Sequence, residues 1–401
     1  MASNISGFEL VNTEDKGRCL KATRSFRKDD VIFEESPLIS CQFPWNAFYG
    51  YLSCHHCLRP LETAEQCARR LANDSSITLP YPEQCGVLRT RERQRKCEEC
   101  GILYCSEECR LEAFKKYHET LCRLRAPLEG LLEIWRNCHF PPETCSIMLI
   151  ARIFAMVCQA GNPQDILSTL KEFQCQAVCD SICHKILGEK FTEQLTRLHE
   201  CMAGIFVEPV YQELLLPDNF KALFVLVGRN GQGIGTSSFA AWQRNTELAN
   251  VDDRATLEND IEALYDKFEE FSGGFLDVEG SGLYVVQSKL NHSCLPNAEI
   301  KFPHSNHRLV ISALRDIAPG EEICISYLSE CLLNRSRHTR HKFLRDNYLF
   351  ACTCGLCTSQ AGDPDVTSSE EEDEEEDEGM RDGNQDASKA DDAMEALNIN
   401  L

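Results

Sequence analysis

Several features common in other proteins are missing from this 401-residue chain, and each absence removes a class of function. No apolar stretch approaches the roughly 20 residues that a membrane span requires, so no membrane partner is expected. Met1 to Thr13 holds no basic segment followed by an apolar run, so no secretory leader is expected. The compartment expected from this is reducing: the cytoplasm, with the nucleus as a second location. Basic charge is also short, with 41 Lys and Arg against 63 Asp and Glu and a net charge of -22. Sixteen acidic and two basic residues lie from Asp363 to Leu401, which leaves -8 to residues 1–362. A mildly acidic body lacks the footprint that grips phosphates, so no direct nucleic-acid partner is expected. Finally, Gly228 to Ser237 is rich in glycine but lacks the GxGxxG spacing, and no repeating strand–helix pattern surrounds it. That removes a Rossmann dinucleotide site.

What the chain has in abundance is cysteine, 24 residues in all. In a reducing compartment such a number is not a disulfide framework, and close spacing points to metal. Cys54 and Cys57 form a CxxC pair; Cys97 and Cys100, Cys105 and Cys109, then His118 and Cys122 follow. Seven thiols and one imidazole at these spacings predict two zinc ions with four ligands each, closed and therefore structural. So small a module has little core of its own, and each ion supplies roughly 10–16 kcal/mol of folding free energy. Residues 58–96 form an insertion in it, with a helix expected over Ala64 to Leu71 and a basic run from Arg89 to Lys96. That run reads as a solvated surface, with a substrate or partner contact as the alternative. Cys352, Cys354 and Cys357 make a third cluster one ligand short, and Cys294 is the candidate for the fourth. Cys175, Cys179 and Cys183 beside His184 read as a cysteine-lined core face, with a metal site as the alternative.

The remaining pattern is α+β. Residues 7–40 read as short strands joined by turns, and Leu309 to Leu314 as another strand. Pro127 to about Leu226 turns helical: Leu128, Leu131, Leu132 and Trp135 share a face, and Ile147 to Val157 reads as an apolar, buried helix. Leu257, Ile261, Leu264, Phe268 and Phe271 stripe an amphipathic helix that Gly273-Gly274 ends, and Arg335 to Arg345 reads as a basic helix. Beyond Ala361, nine consecutive acids from Glu370 to Glu378 predict disorder. Two stretches fit no ordinary element. Leu290 to Asn297 packs Asn291, His292, Ser293 and Cys294 together just after the apolar run Leu283 to Val286. Gly320 to Tyr327 is a Pro-Gly turn, two carboxylates and a strand that ends on tyrosine. Polar groups this dense beside strands indicate a functional site on a rigid scaffold.

With these motifs the chain resembles the SET-and-MYND family of lysine methyltransferases, over Lys16 to Cys357. The eight-ligand pattern is similar to a MYND finger. Asn291 to Cys294 and Gly320 to Tyr327 are similar to the two SET signature segments, and Cys352, Cys354 and Cys357 to a post-SET cluster. The resemblance implies a SET β-fold of small sheets with a knot-like crossing, interrupted by the finger and a helical insert, followed by the post-SET zinc cluster and the disordered acidic tail. The boundaries implied are 1–50 and 276–330 for the two SET halves, 51–125 for the finger, 126–275 for the insert, 331–360 for the post-SET segment and 361–401 for the tail. Most members carry a C-terminal helical-repeat domain, which this chain is expected to go without, and its finger insertion is long.

The resemblance also assigns roles. Lys16, Gly17, Arg18, Asn230, Ser288, Asn291, His292, Tyr327, Tyr348 and Phe350 would bind S-adenosylmethionine, and Tyr327 is the catalytic-centre tyrosine. Arg18 and Cys19 stand where relatives place asparagine and glycine. Three structural zinc ions are implied, with substrates that present lysine in basic segments, such as histone tails or ribosomal proteins. Corepressor peptides at the finger and a monomeric state complete the expectation. The chemistry suits these residue types on its own terms. A lysine of pKa about 10.4 is neutral in roughly one molecule in 10³–10⁴ near pH 7. An aromatic channel disfavours the ammonium by desolvation and aligns the amine for in-line displacement. The rival reading is a non-catalytic zinc-finger adaptor or corepressor that binds partner peptides.

Overall fold

The computed structural model describes residues 7–14, 16–85, 91–136, 147–173, 191–249, 253–273 and 276–363. The expectations for Cys175, Cys179, Cys183, His184 and the acidic run from Glu370 lie outside the described residues. The chain forms two compact units, one of Met1–Asn291 with Asn297–Ile323, the other of His292–Pro296 with Cys324–Leu401.

The described strands are short. In chain order they are β1 (Phe8–Thr13), β2 (Gly17–Ala22), β3 (Val31–Glu35) and β4 (Ile39–Gln42). The finger adds β5 (Arg95–Lys96) and β6 (Leu103–Tyr104). Then come β7 (Gly231–Thr236), β8 (Val278–Leu283), β9 (Asn291–His292), β10 (Ala298–Lys301), β11 (Leu309–Ala313) and β12 (Cys324–Ile325). In the first unit β1 and β2 form an antiparallel hairpin in which Thr13 faces Gly17. A second sheet runs β10-β11-β3 and a third β4-β8-β7, both antiparallel. Leu309, Val310 and Ile311 are buried, which fits a central strand covered on both faces.

Glycines in β8 bring the finger close to the third sheet. A Cβ on Gly280 would lie 2.4 Å from both the Cys41 carbonyl oxygen and Leu58 Cδ2, so only hydrogen fits there. The neighbouring contacts point the same way. Thr236 Oγ1 donates to the Leu58 carbonyl at 2.7 Å, and the His307 N–H donates to the Cys57 carbonyl at 2.7 Å. The first zinc-binding loop is therefore seated in the sheet rather than tethered beside it.

The helical region carries most of the apolar core. Helix Ile147–Gln159 buries nearly all of its first eleven residues among Trp135, Phe191, Phe206, Tyr211 and Phe224. Each such side chain contributes about 1.5–3 kcal/mol by leaving water. One of those buried residues is Arg152, which interrupts the expected apolar run. Helix Ala64–Leu71 occupies the span expected from sequence, held at its start by a capping box between Thr63 and Gln66. The run Leu283 to Val286 stays a strand only to Leu283. There the Glu35 carboxylate accepts the Val286 and Gln287 N–H groups, each at 2.9 Å, and starts a tight turn over Gln287–Lys289.

Candidate active site and metal centres

In the first unit Lys16, Arg18 and Asn291, three of the residues expected to bind cofactor, meet at the β1–β2 hairpin. Gly17 has φ +70, which only glycine adopts without strain, and it makes the turn that presents Lys16 and Arg18. Thr13 Oγ1 braces that turn by donating to the Gly17 carbonyl at 3.2 Å. Lys16 Nζ reaches Glu322 Oε2 at 2.7 Å. Asn291 Nδ2 donates to Glu322 Oε1 at 2.9 Å and to the Arg18 carbonyl at 3.3 Å. Lys16, Arg18 and Asn291, all singled out from sequence, are thus brought together, and Glu322 joins them. Asn230 is buried at the end of helix Pro217–Asn230, where Nδ2 donates to the Leu226 carbonyl at 2.8 Å. Ser288 lies in the Gln287–Lys289 turn, its hydroxyl donating to the Val285 carbonyl at 3.2 Å. Glu35, which holds that turn, is a carboxyl pushed above its usual range by burial.

The second unit holds the expected catalytic tyrosine. The Tyr327 N–H donates to His292 Nδ1 at 3.0 Å. A backbone N–H can only donate, so Nδ1 is the acceptor and the ring proton sits on Nε2. Nε2 in turn lies 3.3 Å from Cys294 Sγ. The imidazole therefore links the backbone of Tyr327 to a cysteine of the C-terminal cluster. Around the Tyr327 ring stand Tyr348, with centroids 4.8 Å apart, and Phe350 at 6.3 Å and 86°, edge to face. Leu349 between them is left-handed, with φ +64, and caps helix Arg337–Tyr348. A non-glycine residue in that conformation stores about 1–3 kcal/mol, and here it turns the chain so that two successive aromatics meet Tyr327. Burial also raises the Tyr348 hydroxyl, which stays protonated at neutral pH.

All twelve expected metal ligands assemble, in three clusters. Cys54, Cys57, Cys105 and Cys109 form one, Cys97, Cys100, His118 and Cys122 a second, and Cys294, Cys352, Cys354 and Cys357 the third, with ligand atoms within 4.8 Å of one another in each. The two finger sets interleave along the chain, a pairing that the spacing alone left open. A tetrahedral zinc with Zn–S of about 2.3 Å places its sulfurs roughly 3.8 Å apart. Cys57 and Cys105 are 3.6 Å apart, Cys97 and Cys122 3.9 Å, Cys294 and Cys352 3.9 Å, and Cys294 and Cys357 3.5 Å. The residues fit zinc on both donor type and spacing. His118 fits as well: burial pushes its pKa down to about 4, which keeps the ring neutral, the form that coordinates. Its Nε2 is 3.5 Å from Cys100 Sγ. A π-helical turn over Phe114–His118, inside an otherwise α-helical segment, sets the phase that lets Cys109, His118 and Cys122 serve two separate clusters.

Sequence reasoning passed over two buried arginines. Arg340, 2 % exposed, sets Nη2 3.7 Å from Cys357 Sγ and 2.7 Å from Gln360 Oε1. Burial opposes its charge, but the neighbouring thiolates hold it protonated. Arg152 donates to the Ser40 carbonyl and, at 2.8 Å, to the His55 carbonyl, with its guanidinium 4.5 Å from the Tyr117 ring centroid. Burial again opposes the charge, and the Cys54 thiolate is among the groups that sustain it. Four thiolates on one Zn²⁺ leave a net −2, so a buried cation nearby is the charge partner such a cluster needs. The signal available in sequence was Arg152 itself, a lone charge in an apolar helix.

Comparison with known proteins places this geometry. Residues 17–328 match the SET domain family. Among curated proteins, the protein-lysine N-trimethyltransferase SMYD5 of Gallus gallus is 48% identical over 89% of this chain and 87% of the relative. The protein of that name from Mus musculus is 48% identical over the same shares, and that from Homo sapiens 47% over 88% and 87%.

Proposed function

The chain belongs to the SET-domain family, and from that premise we propose that it is a protein-lysine N-methyltransferase acting with S-adenosylmethionine. The observation that carries the reading is Tyr327, fixed through its backbone to His292 and flanked by the rings of Tyr348 and Phe350. Aromatic walls strip water from a lysine ammonium and favour the neutral amine that can attack. The His292 bond to the Tyr327 backbone and the packing of its ring against Tyr348 and Phe350 would together position the hydroxyl for that amine, and such positioning accounts for several kcal/mol of a displacement barrier.

The bound cofactor would supply the methyl group on a cationic sulfonium, which aromatic and polar walls tolerate. Lys16, Gly17, Arg18, Asn230, Ser288 and Asn291 in the first unit, and His292, Tyr327, Tyr348 and Phe350 in the second, are the residues proposed to hold it. The twelve ligands would bind three structural zinc ions, and the eight of the finger fit a MYND type. The relatives are named as trimethyltransferases, and the same product is proposed here. The substrates proposed are basic, lysine-bearing segments such as histone tails or ribosomal proteins, which an acidic protein attracts. The reading takes the enzyme as a monomer of the cytoplasm and nucleus.

The test is transfer from labelled S-adenosylmethionine to histone and ribosomal protein fractions, with Tyr327→Phe beside the wild type. A fall in kcat of about 10²-fold or more, with cofactor affinity held within about threefold, is expected of a group that acts in the transition state. A wild type that neither binds cofactor nor transfers methyl would favour the adaptor.

A further inference from the structure

We propose that Glu322 is a positioning residue for the cofactor, acting through Asn291 and Lys16; the inference rests on the methyltransferase reading of those two residues. Each of its carboxylate oxygens takes a different partner. Oε2 receives the Lys16 ammonium at 2.7 Å and Oε1 the Asn291 carboxamide at 2.9 Å. The side chain is only 18% exposed, so the pairing is partly shielded from water.

The backbone of Glu322 is held on both sides, which keeps the carboxylate in place. It bridges to Lys21 of β2; the Ile323 N–H donates to the Leu20 carbonyl at 2.8 Å, and the Ala22 N–H to the Glu321 carbonyl at 2.9 Å. From the far side Asn297 Nδ2 donates to the Glu322 carbonyl at 2.8 Å. Glu321 differs, although it is adjacent and carries the same charge. Its carboxylate pairs with Arg315 at 2.7 Å and accepts from the Ala318 N–H and Asn297, all outside the β1–β2 turn.

The consequence for a ligand follows from donor and acceptor counting. Asn291 directs its Nδ2 at two acceptors, the Glu322 carboxylate and the Arg18 carbonyl, so the amide cannot flip without setting oxygen against oxygen. Its Oδ1 is then presented as an acceptor, the role required to meet the α-ammonium of an amino acid such as the methionyl end of the cofactor. Glu322 also offsets the Lys16 charge, which would otherwise repel that ammonium and the sulfonium. Without the carboxylate, the hairpin turn loses an ionic tie and Asn291 keeps only the longer bond to the Arg18 carbonyl to orient it.

The test uses the full chain and titrates S-adenosylmethionine calorimetrically into wild type, Glu322→Gln, Asn291→Ala, the double variant and Glu321→Gln. Zinc content and melting temperature verify folding, and Glu322→Asp replaces Glu322→Gln should the latter not fold. Residues acting as one unit are non-additive, so each single variant should weaken binding about 10-fold and the double variant about 10- to 15-fold rather than about 100-fold. In Glu322→Gln the KM for S-adenosylmethionine should rise about 10-fold while kcat at saturating cofactor falls by no more than about threefold, because the loss lies in binding. Glu321→Gln should bind within about twofold of wild type, as expected for a change outside the network. Wild-type affinity in Glu322→Gln, or a fully additive double variant, would overturn the inference while leaving Asn291 as a cofactor residue. Wild-type affinity in Asn291→Ala, or no binding by the wild type, would instead remove the reading on which the inference rests.

Discussion

His307 shows how a single buried group ties stability to pH. Its Nδ1 lies 2.8 Å from Ser40 Oγ, and burial, aided by His56, pushes its pKa down to about 3. The folded protein keeps the ring neutral, whereas the unfolded chain takes up a proton near pH 6.5. Stability is therefore complete above that value and is lost as pH falls from about 6.5 toward 3. His307→Asn can retain a bond to Ser40 but does not titrate. Between pH 7 and pH 5 it should lose on the order of 1 to 2 kcal/mol less stability than wild type, read from urea unfolding in zinc-replete buffer. At this scale the sequence was informative wherever chemistry demands a residue type. Tyr327, His292 and the cysteines were identifiable because no ordinary strand needs them together. Glu35 and Arg340 were not, because each looks like a surface charge until the fold supplies its partner; Glu322 stood in the second dense stretch, but nothing there told its role from that of Glu321.

Helix Arg337–Tyr348 illustrates the scale of the element. The sequence read it as a basic helix without saying what it packs against; Thr339, Arg340, His341 and Leu344 are buried and Arg340 faces the C-terminal cysteines. A charge on such a helix can be structural when the object it packs against is itself charged. Arg340→Met keeps the length of the side chain and removes the cation. It should speed zinc release from the Cys294 cluster about 10-fold, within the 10- to 100-fold range of outer-shell changes, and leave the two finger ions unaffected. A chromogenic chelator that resolves three release phases would read this. Periodicity had similar reach and similar bounds. The stripe Leu257, Ile261 and Phe268 is buried as predicted, but Phe271 on the same stripe is 54% exposed, because an amphipathic pattern can run past the surface it packs against.

For the whole molecule, the finger and the sheets of the first unit share structure. The Cys57 and Leu58 carbonyls accept from His307 and Thr236, and Gly280 leaves room for Leu58. Stripping the finger zinc should therefore unfold the sheet as well. Methyl transfer, near-UV circular dichroism and finger zinc content should fall together as chelator is added, whereas a tethered finger would lose its zinc with the dichroism intact. Spacing in the sequence revealed a zinc module, and the resemblance implied that it interrupts another domain. Neither could reveal the seat, because that depends on strands more than 150 residues away in the chain.

The same long-range pairing bears on how the protein is made. β3 ends at Glu35 and its partner β11 begins at Leu309, so β3 leaves the ribosome long before it has a neighbour. At ~5–20 residues per second the wait is roughly 14–55 s. From Cys122 onward an unpaired apolar strand and the complete set of finger ligands are present together on the growing chain. All eight finger ligands have been synthesised by Cys122, well before the third sheet can close, whereas Cys357, the last ligand of the third cluster, arrives near the end. Zinc loading thus has a built-in order, finger first and C-terminal cluster last, and a cell short of zinc during translation would be expected to release a chain whose last site is the one left empty.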